Sequence, residues 1–225
     1  MSKAIGILGG MGPAATVDLM ARLIAATPAA RDEDHLRLFV DNNPQVPNRN
    51  EAIAGGGESP AAALVAMAQG LERQGAELLA IACNSAHAWA GDIASATSVP
   101  LVSMIDATVA AIPAGTRRVG LLAADACLGA GLYQAPLIQA GYDVLVTDDQ
   151  PGFMRLVYGV KGGDTGPDAR AAMAAVARGL IDRGAEAIVA ACTEVPLLLA
   201  QADLPVPLVD STDALVRRLI AEAAA

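Results

Sequence analysis

The sequence predicts an α/β fold with two pseudo-symmetric domains, each built around a parallel sheet, and a functional cleft between them. Three observations support this prediction. Short apolar strands alternate with helix-like segments, the second half of the chain repeats the first, and a polar pair follows each of two repeated cysteines. The 225 residues are enough for one large domain or two small ones.

The repeat is clearest around the two cysteines. The segment GLERQGAELLAIAC (70–83) matches GLIDRGAEAIVAAC (179–192) at seven of fourteen positions, so that Cys83 and Cys192 stand 109 positions apart. Each segment shows the end of a helix, a glycine typical of a helix C-cap, and a short apolar strand that ends at the cysteine. A duplicated half-chain predicts two similar domains related by a pseudo-twofold axis.

The first half presents its elements in a regular order. The opening strand lies in KAIGILGG (3–10), and the loop after it leads through a proline into a helix. A second strand, LRLFV (36–40), is followed by a helix and by the strand that ends at Cys83. After that cysteine we predict a helix-like segment, and then a strand and a helix within 98–112.

The second half follows the same order. RRVGLLAA (117–124) resembles the opening strand, and the Pro-Leu-Val triplet of 205–220 repeats that of the first half 107 positions later. Strands that alternate with helices predict a parallel sheet in each half. Ligands bind such sheets at the carboxyl ends of the strands, where Cys83 and Cys192 both stand. The pseudo-twofold axis would therefore bring the two thiols face to face across the cleft.

Composition and charge exclude several classes of function. Hydrophobic residues make up 54% of the chain and charged residues 17%, which predicts a packed core. A net charge of −9 and an aromatic content of 3% argue against a nucleic-acid partner. No apolar run approaches the roughly 18 residues of a membrane span. Four glycines and a proline interrupt the apolar N-terminal stretch and disfavour a signal peptide, so we expect a cytoplasmic protein.

Cys83 and Cys192 are the candidate catalytic residues. A single buried cysteine is usually structural, but two at equivalent strand ends favour a chemical role. A thiolate at a strand end that leads into a helix N-terminus should have a lowered pKa. Two opposed thiols suit the removal of a proton from one face of a carbon acid and its return on the other. Cys127 has no repeat partner and is interpreted as structural.

We expect neither a metal nor a cofactor. The chain has no CxxC motif and no His/Cys cluster, and its three cysteines should be free thiols in a reducing cytoplasm. A pyridoxal phosphate enzyme would need a Schiff-base lysine, and the only lysines are Lys3 and Lys161. Lys3 opens the first strand, where it should be solvated.

Two cations are candidates for binding a carboxylate. Lys161 lies in the glycine-rich stretch VYGVKGGDTG, which we interpret as a loop, and Arg49 lies in the proline-containing loop 41–51. Arginine suits bidentate capture of a carboxylate, and the two cations together would match a dicarboxylic substrate. An isolated arginine in a loop is more often a solvated surface charge, and an ordinary loop cation is likewise the alternative for Lys161.

The loop GGMGPAAT (9–16) admits two interpretations. It fits a weak G-x-G-x-x-A dinucleotide motif, but Asp41, the candidate ribose-binding acid, comes 29 positions after Gly12 instead of the usual ~20. A dinucleotide enzyme would also leave the duplicated cysteines unexplained. The alternative is a tight strand-to-helix turn with Pro13 in the first helical turn.

Four motifs, in this order along essentially the whole chain, resemble those of the aspartate/glutamate racemase family: GGMGP, NPQVPNR, CNSAH and CTEVPLL. They are most similar to its aspartate racemase branch. The resemblance implies a cofactor-independent amino-acid racemase, in which Cys192 acts on the L-enantiomer and Cys83 on the D-enantiomer. It implies that Arg49 and Lys161 hold substrate carboxylates. The other implied substrate-binding residues are Met11, Gly12, Asn84, Ser85, Thr193 and Glu194.

The resemblance also implies the domain organisation. The first domain would comprise residues 1–104 together with a C-terminal helix at 211–225, and the second would comprise residues 105–210. A homodimer is implied in the same way.

The chain departs from the family pattern near the implied site. Asn48 stands where the family commonly has Asp, and Ser85 where it commonly has Thr. The loop after the fifth predicted strand carries Ala124 and Cys127 in a region where the family tends to have Thr. These departures leave aspartate, glutamate or a less usual amino acid open as the substrate.

Two other functions remain open at this stage. The first is an isomerase or decarboxylase of the same fold that uses one or both cysteines on a small carboxylic acid. The second is a cytoplasmic small-molecule binding protein whose thiols sense redox state. The paired polar residues after each cysteine favour an enzyme.

Overall fold

The computed structural model describes residues 2–225 and contains two four-stranded parallel sheets. In the first sheet the strand order is β2-β1-β3-β4. Its strands are β1 (Ile5–Gly9), β2 (Leu38–Asn42), β3 (Leu78–Ile81) and β4 (Leu101–Val102). The helices of this half are α1 (Pro13–Ala26), α2 (Arg49–Ile53), α3 (Ala61–Gln74), α4 (Ala90–Ala96) and α5 (Met104–Ala110).

The second half repeats this topology with the order β6-β5-β7-β8. Its strands are β5 (Arg118–Ala123), β6 (Asp143–Val146), β7 (Ala187–Ala191) and β8 (Leu208–Asp210). Its helices are α6 (Asp125–Gly129), α7 (Gln134–Gln139), α8 (Gln150–Lys161), α9 (Pro167–Asp182) and α10 (Ser211–Ala224). The predicted fold class, two similar α/β halves with parallel sheets, is confirmed.

The segments after the two cysteines differ from the prediction. Cys83 is followed by a 3₁₀ turn (Ser85–Trp89) and only then by α4, and Cys192 is followed by two 3₁₀ turns without an α-helix. Asp203 accepts a hydrogen bond from the Ala200 backbone N–H at 2.8 Å and so caps a separate turn. This local side-chain bond competes with continuation of the first turn as a helix.

Apolar residues from both faces of each sheet form the core. Ile5 and Ile7 of β1 point toward α1 and α10, whereas Leu8 points toward α3. The strands of the second sheet are divided in the same way between α9 on one face and α7 on the other. Because every strand except the edge ones is covered on both sides, the strands read as continuous apolar runs.

A glycine at the same place in the first strand of each half lets a helix pack closely on the sheet. A Cβ on Gly6 would lie 2.9 Å from the Ala76 Cβ and 3.0 Å from the Leu71 Cβ. A Cβ on Gly120 would lie 2.9 Å from the Leu180 Cβ. The repeat therefore preserves a helix–sheet distance as well as a strand order.

We expect Gly6→Ala to lower the free energy of unfolding by about 1–3 kcal/mol, because the added methyl overpacks the contact between β1 and α3. Urea unfolding followed by circular dichroism measures the loss. Gly179→Ala is the matched control: it lies exposed in α9, and its Cβ would meet no described atom within 4 Å. This second change should stabilise the protein by about 0.5–1 kcal/mol. Equal effects of the two changes would contradict the packing argument.

The last helix crosses back to the first half. Leu215, Val216 and Leu219 of α10 are buried in the same cluster as Ile5 and Ile7 of β1. The domain bounds at residues 104, 210 and 211 stay a prediction.

Arg22 of α1 fixes the start of α10. It forms ion pairs with Asp18 at 2.8 Å, Asp210 at 2.5 Å and Asp213 at 2.6 Å. Asp210 also caps α10 through the backbone N–H groups of Thr212 and Asp213.

Within residues 2–225, no helix is long and apolar enough to cross a membrane.

Candidate active site

The carboxyl ends of strands from both halves surround one cavity of about 220 Å³. Cys83 lies two residues after β3 and Cys192 directly follows β7, and both line the cavity as free thiols. The remaining lining residues are Met11, Pro44, Val46, Asn48, Arg49, Asn50, Asn84, Ser85, Ala124, Val157, Tyr158, Lys161, Thr193 and Glu194. The repeated strand ends therefore meet at a single site.

The cavity brings together nearly all the residues that the sequence singled out. Nine of the ten predicted site residues line it, and Gly12 is the exception. Gly12 is nevertheless adjacent, because a Cβ on it would lie 3.7 Å from Glu194 Oε1 and 3.8 Å from Lys161 Nζ. A side chain at this position would approach the charged groups of the site.

Several lining residues were missed from sequence. Asn50, Pro44 and Val46 belong to the same loop region as Arg49, and Asn48 and Ala124 were noted only as departures from a family pattern. Val157 and Tyr158 precede Lys161 by four and three residues in α8. Residues at this spacing share a helix face, so treating the segment as a helix would have indicated them.

Cys192 is held as a thiol. Its Sγ donates a hydrogen bond to Glu194 Oε2 at 3.0 Å. Burial, and then the neighbouring Glu194 carboxylate, raise the pKa of Cys192 well above its usual value. The prediction of a lowered pKa is therefore wrong for Cys192, since the strand leads into a 3₁₀ turn beside a carboxylate instead of an α-helix N-terminus.

Lys161 and Glu194 form an ion pair inside the site, and Lys161 Nζ also donates to the backbone oxygen of Met11 at 3.3 Å. Burial alone would lower the pKa of Lys161, but the Glu194 carboxylate outweighs it, so that the pKa is raised and the ammonium is retained. The interpretation of this segment as a loop is wrong: Lys161 is the last residue of α8, and the glycines follow it. The buried residues Phe153, Met154, Val157 and Val160 recur at helical spacing, and packing of this face keeps Gly159 within the helix.

Arg49 starts α2 and is anchored by backbone oxygens. Its Nη1 donates to the carbonyls of Val46 at 3.0 Å and Pro47 at 2.9 Å, and its Nη2 donates to Met11 at 3.2 Å. Among the described residues, Nε–H and one Nη2–H have no acceptor. A guanidinium has five N–H donors, so these two remain for a carboxylate.

His87 fixes the backbone of Cys83. The Met104 backbone N–H donates to His87 Nε2 at 3.2 Å, which leaves Nδ1 to donate to the Cys83 carbonyl at 2.9 Å. Burial lowers the pKa of His87, so the imidazole stays neutral at neutral pH in this tautomer. The sequence showed only an isolated histidine, with no signal of this role.

Cys127 lies behind the site. Its Sγ is 3.5 Å from Ser85 Oγ and 3.8 Å from the Ala191 carbonyl oxygen. Burial raises the pKa of Cys127 to about 12, so this third cysteine is a thiol at neutral pH. Unlike Cys83 and Cys192, it does not line the cavity.

Asn50 connects the two halves beside the cavity. Its Oδ1 accepts from the Ala126 N–H in α6 at 2.9 Å, and its Nδ2 donates to Tyr158 Oη in α8 at 3.0 Å. Since Asn50 belongs to α2, one side chain links this short helix to two helices of the other half. The link holds α2, and with it Arg49, against the cavity.

The glycine loop after β1 makes a tight turn. Gly10 has φ +89°, and a Cβ there would lie 2.3 Å from the backbone carbon of Asn43. Pro13 occupies the first turn of α1, as the second interpretation of this loop required. Met11 and Gly12 face Lys161 and Glu194.

Among residues 2–225, no group of three or more His, Cys, Asp or Glu side chains could hold a metal ion.

Comparison with known proteins gives a consistent result. A model of the Asp/Glu/Hydantoin racemase family matches residues 8–219. The aspartate racemase structure from Picrophilus torridus is 33% identical, with a TM-score of 0.91 over 99% of this chain and 94% of that one. An aspartate racemase homologue from Pyrococcus horikoshii is 27% identical, with a TM-score of 0.77 over 99% and 100%. The broad specificity amino-acid racemase RacX of Bacillus subtilis (strain 168) is 25% identical over 221 residues, 96% of each chain.

Proposed function

Because the chain belongs to the Asp/Glu/Hydantoin racemase family, and is therefore an isomerase of the racemase type, we propose that it racemises an acidic amino acid, aspartate or glutamate, without a cofactor. Cys83 and Cys192 are the two acid/base groups. The observation that carries the proposal is that the repeated cysteines, one from each half, line a single cavity.

The proton transfers balance without any other reactant. In the D-to-L direction the Cys83 thiolate takes the α-proton, and the electron pair of the broken C–H bond stays on the substrate. The Cys192 thiol then gives its proton to the opposite face, which inverts the configuration. Turnover ends with Cys83 as thiol and Cys192 as thiolate, the state that starts the reverse reaction. The raised pKa of Cys192 favours the state in which it is the acid.

Charge complementarity supports an acidic substrate. Arg49 and Lys161 contribute two positive charges to the cavity, and Glu194 contributes one negative charge. An acidic amino acid carries two carboxylates and one ammonium, so each of these three side chains can meet a substrate group of opposite charge. A neutral amino acid has a single carboxylate and would leave one of the two cations with only Glu194 and the catalytic thiolate as negative neighbours.

The other polar residues bind the common part of the amino acid. The backbone at Met11 and Gly12 lies against the two charged side chains of the other half. Asn84 and Ser85 follow one catalytic cysteine, and Thr193 follows the other. These residues would hold the α-carboxylate and α-ammonium between the thiols. The Glu194 carboxylate would accept a hydrogen bond from the ammonium.

Aspartate is the first candidate substrate. The Picrophilus torridus relative is an aspartate racemase, and it is the more similar of the relatives compared above. The Bacillus subtilis relative has broad specificity, and the cavity wall here includes the aliphatic Val46, Ala124 and Val157. Glutamate and larger amino acids therefore belong in the first substrate screen.

Solvent deuterium incorporation tests the proposal. Each pure enantiomer of aspartate and glutamate is incubated with the protein in D₂O, and both deuterium content and configuration are followed. A racemase places one deuterium at the α-carbon of the inverted product. A decarboxylase removes a carboxyl group as carbon dioxide, and a binding protein changes neither the deuterium content nor the configuration. Release of carbon dioxide, or the absence of exchange for every amino acid, would favour the alternatives.

The assembly and location complete the proposal. We propose a cytoplasmic homodimer, as the family resemblance implies. Light scattering after gel filtration measures the mass against 22.7 kDa for one chain. A monomer at micromolar concentration would contradict this part alone.

A further inference from the structure

A buried polar network lies behind the cavity on the Cys83 side. Tyr133 Oη donates to Asn84 Oδ1 at 2.5 Å, and Asn84 Nδ2 donates to Ser211 Oγ at 3.1 Å. Tyr133 directly precedes α7 and Ser211 is the first residue of α10. Both are fully buried, so two segments distant in sequence hold one side chain at the edge of the cavity.

The Tyr133 hydroxyl donates its hydrogen to Asn84. Asn84 Oδ1 can only accept, and it is closer to Tyr133 Oη than Thr108 Oγ1, which is 3.3 Å away and donates its own hydrogen to the Met104 carbonyl at 2.6 Å. Burial raises the pKa of Tyr133, so the hydroxyl keeps its proton throughout the neutral range. That proton lies on the short bond to Asn84.

Asn84 connects this network to the reaction. It directly follows Cys83 and lines the cavity, whereas Tyr133 does not. With Oδ1 held by Tyr133 and one N–H held by Ser211, the amide keeps one N–H and one lone pair for a ligand. Rotation of a terminal amide is soft, so these two contacts decide where the free groups point.

We propose that Tyr133 is a positioning residue of the racemase, which acts through Asn84 to fix the polar groups that bind the amino acid beside Cys83. The proposal rests on the proposed function. It assigns a role to a residue that the cavity wall alone does not indicate.

Tyr133→Phe removes only the hydroxyl. Since the loss is one hydrogen bond to a substrate-binding side chain, we expect kcat/KM to fall about tenfold, mainly through a higher KM. Tyr142→Phe is the matched control: Tyr142 packs partly buried against the second sheet, away from the cavity. It should keep wild-type kinetics. Wild-type kinetics in Tyr133→Phe would overturn the proposal.

A double-mutant cycle separates positioning from general stability. If Tyr133 acts through Asn84, Tyr133→Phe should change kcat/KM by less than about twofold when Asn84 is already Ala. The same tenfold loss in both backgrounds would show a structural effect and would also overturn the proposal. The cycle is repeated with the dissociation constant of D-aspartate as the readout. Binding without racemisation in the wild type would contradict the proposed function while this coupling is still measured.

Discussion

We expect kcat for racemisation to fall by at least about 10³-fold when either Cys83 or Cys192 is replaced by serine. Both residues line the same cavity at the ends of equivalent strands. Under the two-base mechanism each turnover needs one thiolate and one thiol. A serine hydroxyl is far too weakly acidic to act as the base at neutral pH, so neither variant can complete an inversion.

The two serine variants should retain different partial reactions. Cys83→Ser keeps Cys192 and should exchange the α-proton of the L-enantiomer with solvent, whereas Cys192→Ser should exchange that of the D-enantiomer. Because the pKa of Cys192 is raised, L-exchange in the first variant should keep increasing into the alkaline range. Deuterium incorporation into each pure enantiomer, measured by mass spectrometry over a pH series, gives both results.

Cys127→Ala is the control for the loss of a thiol. It removes the buried cysteine that does not line the cavity, so it should still invert both enantiomers. Full racemisation by either serine variant would show that its cysteine is not an essential acid or base. Exchange of both enantiomers by one variant would contradict the assignment of one face to each thiol.

The repeat made most of the fold predictable from sequence. Gly6 and Gly120 recur because each lets a helix approach the first strand of its sheet, and the apolar runs recur because both faces of each sheet are covered. The segment after Cys192 was not predictable in the same way. Local side-chain hydrogen bonds hold its turns, from the Ala200 N–H to Asp203 and between Gln201 and the backbone of Val206 and Leu208, and the corresponding segment of the first half gives no guide to them.

The sequence predicted which residues line the site better than it predicted their protonation states. Polar residues after parallel strands meet at one edge whatever their detailed contacts, so the strand-end positions indicated Asn84 and Thr193 directly. The state of Cys192 depends on a hydrogen bond to Glu194, which a residue pattern does not specify. Tyr133 is farther removed, since it reaches Asn84 only through the packing of α7 against the rest of the fold.

Lys161→Met should lower kcat/KM for aspartate by about 10²-fold or more. The change removes one partner of a buried charge pair and, by our proposal, one contact to a substrate carboxylate, losses that together cost about 3 kcal/mol or more. The free energy of unfolding should fall by only about 1–3 kcal/mol, because the Lys161 side chain keeps 30% exposure and water screens the pair. Steady-state kinetics and urea unfolding measure the two losses separately.

Glu194→Gln is the matched opposite of this change, and the pH profile distinguishes the two. With D-aspartate as the substrate Cys192 is the acid, so the alkaline limb of kcat/KM reports loss of the Cys192 proton in the free enzyme. Glu194 raises the pKa of Cys192 and Lys161 lowers it. Glu194→Gln should therefore move the alkaline limb to lower pH, and Lys161→Met should move it to higher pH. The double variant, which leaves no unpaired charge, should be more stable than Lys161→Met alone. If the alkaline limb moved in the same direction in both single variants, the assignment of that limb to Cys192 would be contradicted.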